Sequence, residues 1–296
     1  MIAIVFGGGA YFAYRMFVQP AELDLAAEIA EANAPEPTPP PDYSIPRFEE
    51  MMKVVAESDV PKSQEALRNF IAQYPKSTKL AEAKAELGRI NMGLVYGAGE
   101  SPRKTAYEVV SGDSLLRIAG KTDSNAEQIM RSNNLLSIDL RIGQELLIPS
   151  VSASIFVDRA AKTLTLLDEG NLLKEYPIVS LKIQGSADSP IDTTVADRLA
   201  MKDSDRVAFG SGGYAGAERW LMLGSNGIVI RGVPPAPEGE GTEENEEAAD
   251  ATESPEDEGA ENVEEMPNMP PGIVLDAADM SEIFPLVRQG ATVTIQ

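Results

Sequence analysis

The 296-residue sequence contains neither cysteine nor histidine. Without cysteine the chain forms no disulfide, offers no thiolate nucleophile or cysteine zinc site, and has no residue for a lipoprotein-type acyl anchor. Without histidine it has no imidazole to activate a nucleophile. No cofactor and no metal site is therefore predicted, and the common cysteine-based enzyme classes are excluded.

Basic residues are also scarce, because 25 Lys and Arg face 47 Asp and Glu, which gives a net charge of −22. Such a chain repels phosphate, so nucleic acid is not expected as a partner. Fourteen of the acidic residues lie in the tract 234–271, which contains no Lys or Arg. The composition of this tract predicts a disordered, solvated insertion. Carboxylates suit Ca²⁺, but no repeat spacing in the tract marks a defined site.

The first 18 residues are apolar and carry no charge before Arg15. A spanning helix needs about 20 apolar residues and a signal-peptide core about 7–15, so the segment lies between the two. Ala32-Asn33-Ala34 is similar to a cleavage site but lies far beyond the apolar run. We predict that residues 1–18 are a membrane anchor or uncleaved signal in the inner membrane. The proline-rich residues 19–45 are predicted to be a linker.

Helical periodicity begins at Pro46, and it is interrupted at Tyr74-Pro75. Leu67 and Phe70 fall on one predicted helix face. Residues 46–100 resemble a tetratricopeptide-type helical hairpin. One hairpin is fewer than the roughly three repeats that a solenoid needs, so we expect a packing or spacer module.

Residues 106–150 have the order strand, helix, helix, strand. Asp113 or Ser114 is predicted to cap the first helix, and Ser124 or Asn125 the second. The segments YEVVSGDSLLRIA, NN-L and RIGQELLIP closely resemble the LysM module. This resemblance implies a βααβ fold that binds N-acetylglucosamine-containing glycans, chiefly bacterial peptidoglycan.

In that family the sugar groove lies between two loops. Their counterparts here are Ser111, Gly112, Asp113, Ser114 and Leu115 in the first loop, and Ser137, Ile138, Asp139, Leu140 and Arg141 in the second. The resemblance implies that backbone amides and small polar side chains contact the N-acetyl groups. Leu115 and Ile138 either support those contacts or serve only as core.

Residues 153–296 are predicted to form a mainly β domain, because short alternating strands such as SIFVD and KTLTLLD follow one another closely. A turn is expected at Glu169-Gly170-Asn171. Near the end of the sequence a short helix bracketed by Asp279 and Gly290 is expected, followed by an edge strand.

The segments IFVDRAAKTLTLLDEG, AERWLML, GIVIRGVP and DMSEIFPLVRQGATVTI are similar to the L,D-transpeptidase domain of the YkuD type. In active members the strand corresponding to GIVIRG ends in a His-Gly-Thr or similar triplet, and a later Ser-x-Gly-Cys-x-Arg motif supplies the nucleophile. Here Arg231 occupies the histidine position. A gap-free count assigns Met269, Gly272 and Val274 to the serine, cysteine and arginine positions. The resemblance therefore implies a degenerate domain without catalytic residues, interrupted by the acidic tract.

The predicted fold class is multidomain α+β: an N-terminal membrane helix, an α-helical hairpin, a βααβ LysM module and a mainly β L,D-transpeptidase-like domain. The predicted function is non-catalytic binding of peptidoglycan glycan strands in the bacterial cell envelope, on the periplasmic side of the membrane, for wall attachment or scaffolding. Two alternatives stay open. One is an L,D-transpeptidase-family enzyme with residual activity, since a Ser–Lys pair is chemically possible. The other is a module that binds another envelope protein.

Overall fold

In the described part of the chain, which begins at residue 42, three helices precede the first strand, and local sequence sets their ends. The computed structural model describes residues 42–183, 189–224, 227–233 and 272–296. The helices are α1 (Ser44–Glu57), α2 (Val60–Gln73) and α3 (Leu80–Tyr96). Asp59 caps α2, because its carboxylate accepts a hydrogen bond from the Lys62 N–H at 3.2 Å. The break predicted at Tyr74-Pro75 is confirmed, since α2 stops just before it.

Helix α3 is packed on the β domain. Its residues Met92 and Val95 belong to the main hydrophobic core of that domain. The Asn91 amide, buried in the contact, donates hydrogen bonds to the Leu172 and Leu173 carbonyls at 2.9 and 3.0 Å. Because both hydrogen bonds would be lost in any other register, this buried amide favours one arrangement of helix α3 against the segment that contains Leu172 and Leu173.

The βααβ module consists of β1 (Lys104–Glu108), α4 (Leu115–Lys121), α5 (Ala126–Ser132) and β2 (Glu145–Pro149). Strands β1 and β2 pair antiparallel. Ser114 caps α4 and Asn125 caps α5, in each case one of the two residues predicted. Asn134, just beyond α5, has a φ of 50°, a left-handed conformation that asparagine tolerates. The module has its own apolar core, formed by Val109, Leu115, Ile118, Ala119, Ala126, Ile129, Leu146 and Ile148.

The rest of the described chain forms a ten-stranded sheet. Its elements are β3 (Ala153–Asp158), β4 (Thr163–Asp168), β5 (Asn171–Pro177), β6 (Ser180–Lys182), β7 (Ile191–Lys202), β8 (Asp205–Arg206), β9 (Glu218–Leu223), β10 (Val229–Gly232), β11 (Gly272–Leu275) and β12 (Thr292–Ile295), with helix α6 (Ala277–Ile283). The strand order is β5-β4-β3-β12-β7-β9-β10-β11-β6, and β8 pairs with β7. The predicted turn between β4 and β5 is confirmed, with Glu169 and Gly170 at positive φ.

The prediction of an edge strand after the last helix is wrong. Strand β12 lies inside the sheet, parallel to β3 through Val293↔Ile155 and antiparallel to β7 through Val293↔Thr193. The alternating sequence TVTI indicates that one face of the strand is buried. It does not indicate whether the strand has one neighbour or two, because the neighbours β3 and β7 come from distant parts of the chain. The short helix expected between Asp279 and Gly290 begins earlier than expected. Its N-cap is Asp276, and Asp279 lies in the first turn of helix α6.

The observed architecture mixes helices and sheet, and Ser44–Gln296 form one compact unit that includes the helices, the βααβ module and the β domain. Within the described ranges no helix is long and apolar enough to cross a membrane. The anchor predicted at 1–18 and the acidic tract at 234–271 lie outside those ranges.

Candidate functional site

Asp113 holds the first loop of the βααβ module in place. Its carboxylate accepts hydrogen bonds from Tyr107 OH at 2.8 Å, Val110 N–H at 3.0 Å and Lys121 Nζ at 2.7 Å. Hydrogen bonding by Lys121 and then by the Val110 amide lowers the pKa of the Asp113 carboxyl to about 2. The carboxylate therefore stays ionised and orders the loop around it.

The remainder of the first loop is open to solvent. Gly112 has a φ of 88°, a conformation that side chains resist. The Ser114 hydroxyl accepts a hydrogen bond from the Arg117 N–H at 3.3 Å and so starts helix α4. Ser111, Gly112 and Ser114 are exposed, whereas Leu115 is buried and belongs to the core.

The second loop is stabilised by short-range hydrogen bonds. Ser137 Oγ donates to Asp139 Oδ2 at 2.7 Å and accepts from the Asp139 N–H at 3.1 Å. The Arg141 N–H donates to Gln144 Oε1 at 3.1 Å. Because Ser137, Asp139 and Arg141 are exposed, their unused donors and acceptors face solvent. A cavity of about 640 Å³ opens along residues 134–144.

The backbone joins the base of the first loop to the end of the second. The Gly143 N–H donates to the Val109 carbonyl at 2.8 Å, and the Val109 N–H donates to the Gln144 carbonyl at 2.9 Å. Leu140 packs against the same core as Leu115. The two predicted loops are thus held at one end of the module.

Large apolar side chains are exposed around these loops. They are Val110, Leu116, Leu136, Ile138 and Ile142. Ile138 is 46% exposed, so it is available for contact in a way that Leu115 is not. Exposed apolar side chains beside open polar groups are typical of a binding surface, and sugar rings offer both apolar faces and polar edges.

Arg231, Gly272 and Val274 lie on two neighbouring parallel strands. Arg231 is the register partner of Val274, and Gly272 that of Val229. The Arg231 side chain is only 6% exposed, and burial lowers its pKa against the opposing effect of Glu218. Its Nε and Nη1 atoms are buried and have no hydrogen-bond partner in the described parts of the chain.

Gly272 has no room for a side chain. A Cβ at this position would lie 2.1 Å from the carbonyl oxygen of Val229, far inside van der Waals contact. Because that oxygen belongs to the paired strand β10, it moves only if the strand pairing changes. A cysteine at this position is therefore incompatible with the observed sheet.

The family model of the LysM domain matches residues 107–149. These residues form a LysM domain. The resemblance drawn from the segments of this module is thereby confirmed, and the strand–helix–helix–strand order of the structure agrees with it. A comparison with curated proteins finds no match to this chain.

Solved L,D-transpeptidase structures are similar to part of the chain. That of Enterococcus faecium is 15% identical with a TM-score of 0.29, over 49% of this chain and 50% of that one. That of Mycobacterium smegmatis is 11% identical with a TM-score of 0.28, over 53% and 64%. That of Xylanimonas cellulosilytica is 12% identical with a TM-score of 0.26, over 50% and 61%. The chain spans less than two thirds of the length of each.

A group of charged and aromatic side chains joins the LysM domain to the β domain. Glu127 of α5 accepts hydrogen bonds from Tyr214 OH at 2.7 Å and from Arg219 Nη2 at 3.3 Å. Arg219 lies over the Tyr214 ring at 4.2 Å. The loop between β8 and β9 also places Phe209 against the LysM core.

These residues were not among the predicted site residues, although the sequence carries a signal for one of them. In ERWLML, Arg219 falls in the same alternation phase as the buried Leu221 and Leu223. A charged residue in the buried phase of a strand needs a specific partner. Glu127 is that partner, and only the tertiary structure identifies it.

In the described portion of the chain, no group of three or more carboxylates could hold a metal ion.

Proposed function

We propose that this protein binds the N-acetylglucosamine-containing glycan strands of peptidoglycan through its LysM domain and catalyses no reaction on them. The observation that carries the proposal is a complete LysM domain at 107–149 whose two loops are ordered and exposed. In the proposed complex, exposed backbone amides of the two loops meet the N-acetyl groups, and Ile138 packs against a sugar ring.

The absence of catalysis is part of the same proposal. A thiolate nucleophile needs a sulfur and a neighbouring imidazole, and the chain has neither cysteine nor histidine. Arg231, Gly272 and Val274 stand at the positions that the sequence resemblance assigns to reactive residues. On this proposal the β domain is a degenerate L,D-transpeptidase-like domain with a structural role.

The location proposed is the bacterial cell envelope, facing the periplasm. Residues 1–18 would anchor the chain in the inner membrane, and residues 19–45 would extend it toward the wall. The protein would then serve for wall attachment or as a scaffold, on which a further envelope protein could bind.

Co-sedimentation of the full chain with purified sacculi tests the proposal. Gly112→Val is expected to weaken binding at least about fivefold, since a β-branched residue resists the positive φ of this loop. Gly290→Val is a matched control, because Gly290 has a φ of 85° and open space around it but lies outside the LysM domain. The proposal fails if the wild-type chain stays in the supernatant at low salt with excess sacculi, or if it cross-links disaccharide–tetrapeptide fragments.

A further inference from the structure

Two arginines lie side by side on neighbouring strands of the sheet, next to the LysM domain. In the antiparallel pairing of β7 with β9, Arg198 is the partner of Leu221, and Ala200 is the partner of Arg219. Arg198 and Arg219 are thus diagonal neighbours on one face of the sheet. Their guanidinium carbons lie 4.2 and 5.5 Å from the centroid of the Phe284 ring. Two like charges are therefore held beside the same aromatic ring.

In the described residues only one carboxylate is within reach of these two guanidinium groups. Glu127 of α5 accepts hydrogen bonds from Arg219 Nη2 at 3.3 Å and from Tyr214 OH at 2.7 Å. Arg198 forms no ion pair in the part of the chain that the structure describes, and its Nη2 donates to the Phe284 carbonyl oxygen at 2.7 Å. The pair of arginines thus carries one positive charge more than its acidic partner balances.

Both arginines also have an unused hydrogen-bond donor. The Nε atoms of Arg198 and Arg219 are buried and have no hydrogen-bond partner within the described ranges. Burial lowers the pKa of the Arg198 guanidinium, and the nearby charge of Arg219 lowers it further, against the effect of Glu127. An unbalanced charge away from water is costly, so this arrangement favours an anion that supplies the missing negative charge.

The hydroxyl of Tyr96, at the end of α3, is a further unused donor at this junction. Its oxygen is buried and has no partner among the described residues. Burial raises the pKa of Tyr96, and Arg131 and Arg198 oppose that rise, so the hydroxyl stays protonated. Arg131 lies over the Tyr96 ring at 4.4 Å and adds positive charge, whereas the neighbouring Glu282 is already paired with Lys174. Surplus positive charge and free donors therefore occur together here.

A cavity between the LysM domain and the β domain gives an ion access to this junction. Its volume is about 450 Å³. On the β-domain side Arg198, Tyr214 and Phe284 line it, and on the LysM side Leu116 and Asn125 do so. The cavity therefore leads from solvent to the arginine pair and has ample room for a small ion.

The free donors favour a monatomic anion over a carboxylate or a phosphate. Carboxylates and phosphates bind best to two parallel N–H groups of one guanidinium. The Nη2 groups of Arg198 and Arg219 already donate to the Phe284 carbonyl oxygen and to Glu127, so the Nε–H of each arginine is left as a single donor. A spherical ion accepts single donors from several directions, and a charge of −1 balances the excess.

We propose that a halide ion, ordinarily chloride, binds between Arg198 and Arg219 and stabilises the contact of the LysM domain with the β domain. Because the unfolded chain has no such site, the chloride concentration contributes to the free energy of unfolding. The site is separate from the glycan-binding loops, so its failure would leave the glycan proposal untouched.

Urea unfolding of the full chain tests the halide site. Sodium chloride is replaced stepwise by sodium gluconate, which keeps the ionic strength constant and with it the screening of surface ion pairs. We expect the midpoint to rise by about 0.5 M urea when about 0.3 M gluconate is exchanged for chloride. Bromide should act as chloride does, and acetate should not. Arg198→Met should remove the rise.

Arg206→Gln is the matched control, because Arg206 lines the same cavity but is paired with Asp197 at 3.2 Å and has a side chain that is 63% exposed. This variant should keep the chloride dependence. An equal chloride dependence in Arg198→Met, Arg206→Gln and the wild type would overturn the proposal, as would the lack of any dependence in the wild type. A rise in acetate equal to that in chloride would show a carboxylate site instead.

A second measurement covers the case in which Arg198→Met does not fold. The arginine Nε–H resonances of the wild-type chain are titrated with chloride and, separately, with gluconate. Saturable shifts of two buried resonances with chloride alone support the site. Shifts with neither salt, or equal shifts with both, would rule it out.

Discussion

Gly210 of the β domain lies directly against Ile138 of the second LysM loop. A Cβ added at Gly210 would lie 3.1 Å from Ile138 Cδ1, closer than most contacts between a Cβ atom and its neighbours. The loop that is proposed to hold glycan therefore rests on a residue about 70 positions further along the chain, and its position depends on the β domain as well as on the LysM domain.

Gly210→Ala is predicted to lower the affinity for glycan. The methyl group displaces Ile138 by a few tenths of an ångström, and the φ of 84° adds a conformational cost of about 1–2 kcal/mol. Sacculus binding and the midpoint of urea unfolding would be measured together, so that a change in binding can be separated from a change in stability.

Two glycines serve as controls for this prediction. Gly99→Ala carries the same conformational strain, with a φ of 87° and open space, so it should lose stability but keep affinity. Gly212→Ala has open space without positive φ and should change neither. Equal losses of affinity in Gly99→Ala and Gly210→Ala would show that the Ile138 contact does not matter for binding.

Asp113 is predicted to make stability depend on pH in acid. The pKa of its carboxyl is about 2 in the folded protein and ordinarily 3.8. The contribution of the ionised carboxylate to the free energy of unfolding is therefore complete above about pH 4, and it is lost as the pH falls toward 2. Asp113→Asn should therefore be less stable than wild type at pH 6, and the difference should shrink between pH 4 and pH 2. Urea unfolding across this range measures it, and a difference that is constant with pH would contradict the prediction.

Glu127→Gln is predicted to destabilise the chain by about 1–3 kcal/mol, because it weakens the hydrogen bonds to Arg219 and Tyr214 in a partly buried contact. Glu50→Gln is the control, since the Arg47–Glu50 pair is largely exposed and should contribute less than about 0.5 kcal/mol. Equal effects of the two variants in chemical unfolding would mean that the contacts of Glu127 with Arg219 and Tyr214 stabilise the fold no more than an exposed ion pair does.

Gly272→Cys is predicted to destabilise the sheet by at least about 2 kcal/mol, because the new side chain collides with the Val229 carbonyl oxygen. With Arg231→His added, the chain should still show no transpeptidase activity, because the observed pairing of β10 with β11 leaves no room for the cysteine side chain. Gly216→Cys, in open space, should be close to neutral. A stable Gly272→Cys variant whose thiol is readily alkylated would show that the strand pairing at this point is incorrect.

The sequence predicted much of the fold because most of its elements carry local signals. The caps at Ser114 and Asn125, the turn at Gly170 and the break at Pro75 each depend on residues within one turn of the feature. The LysM loops were likewise predictable, because their residues lie in one continuous segment. What the sequence predicted of their glycan contacts stays a prediction.

The remainder depends on contacts between distant segments. Nothing near Gly210 indicates that it meets Ile138, and nothing near Arg198 indicates that it lies beside α4 and α5 of the LysM domain. The same holds for β12, whose alternation is equally compatible with an edge or a central position. Such features are set by tertiary packing, which single-sequence patterns do not encode.

The central place of β12 has a consequence for how the chain folds. Strand β3 pairs on one side with its sequence neighbour β4 and on the other with β12, which is separated from it in sequence by nearly the entire β domain. Strand β7 also pairs with β12. Such non-local pairing slows folding, and two strand edges stay open to other chains in the meantime. Refolding should therefore be slow and sensitive to protein concentration, and Val293→Asp, on the buried face of β12, should increase aggregation before it changes anything at the LysM domain.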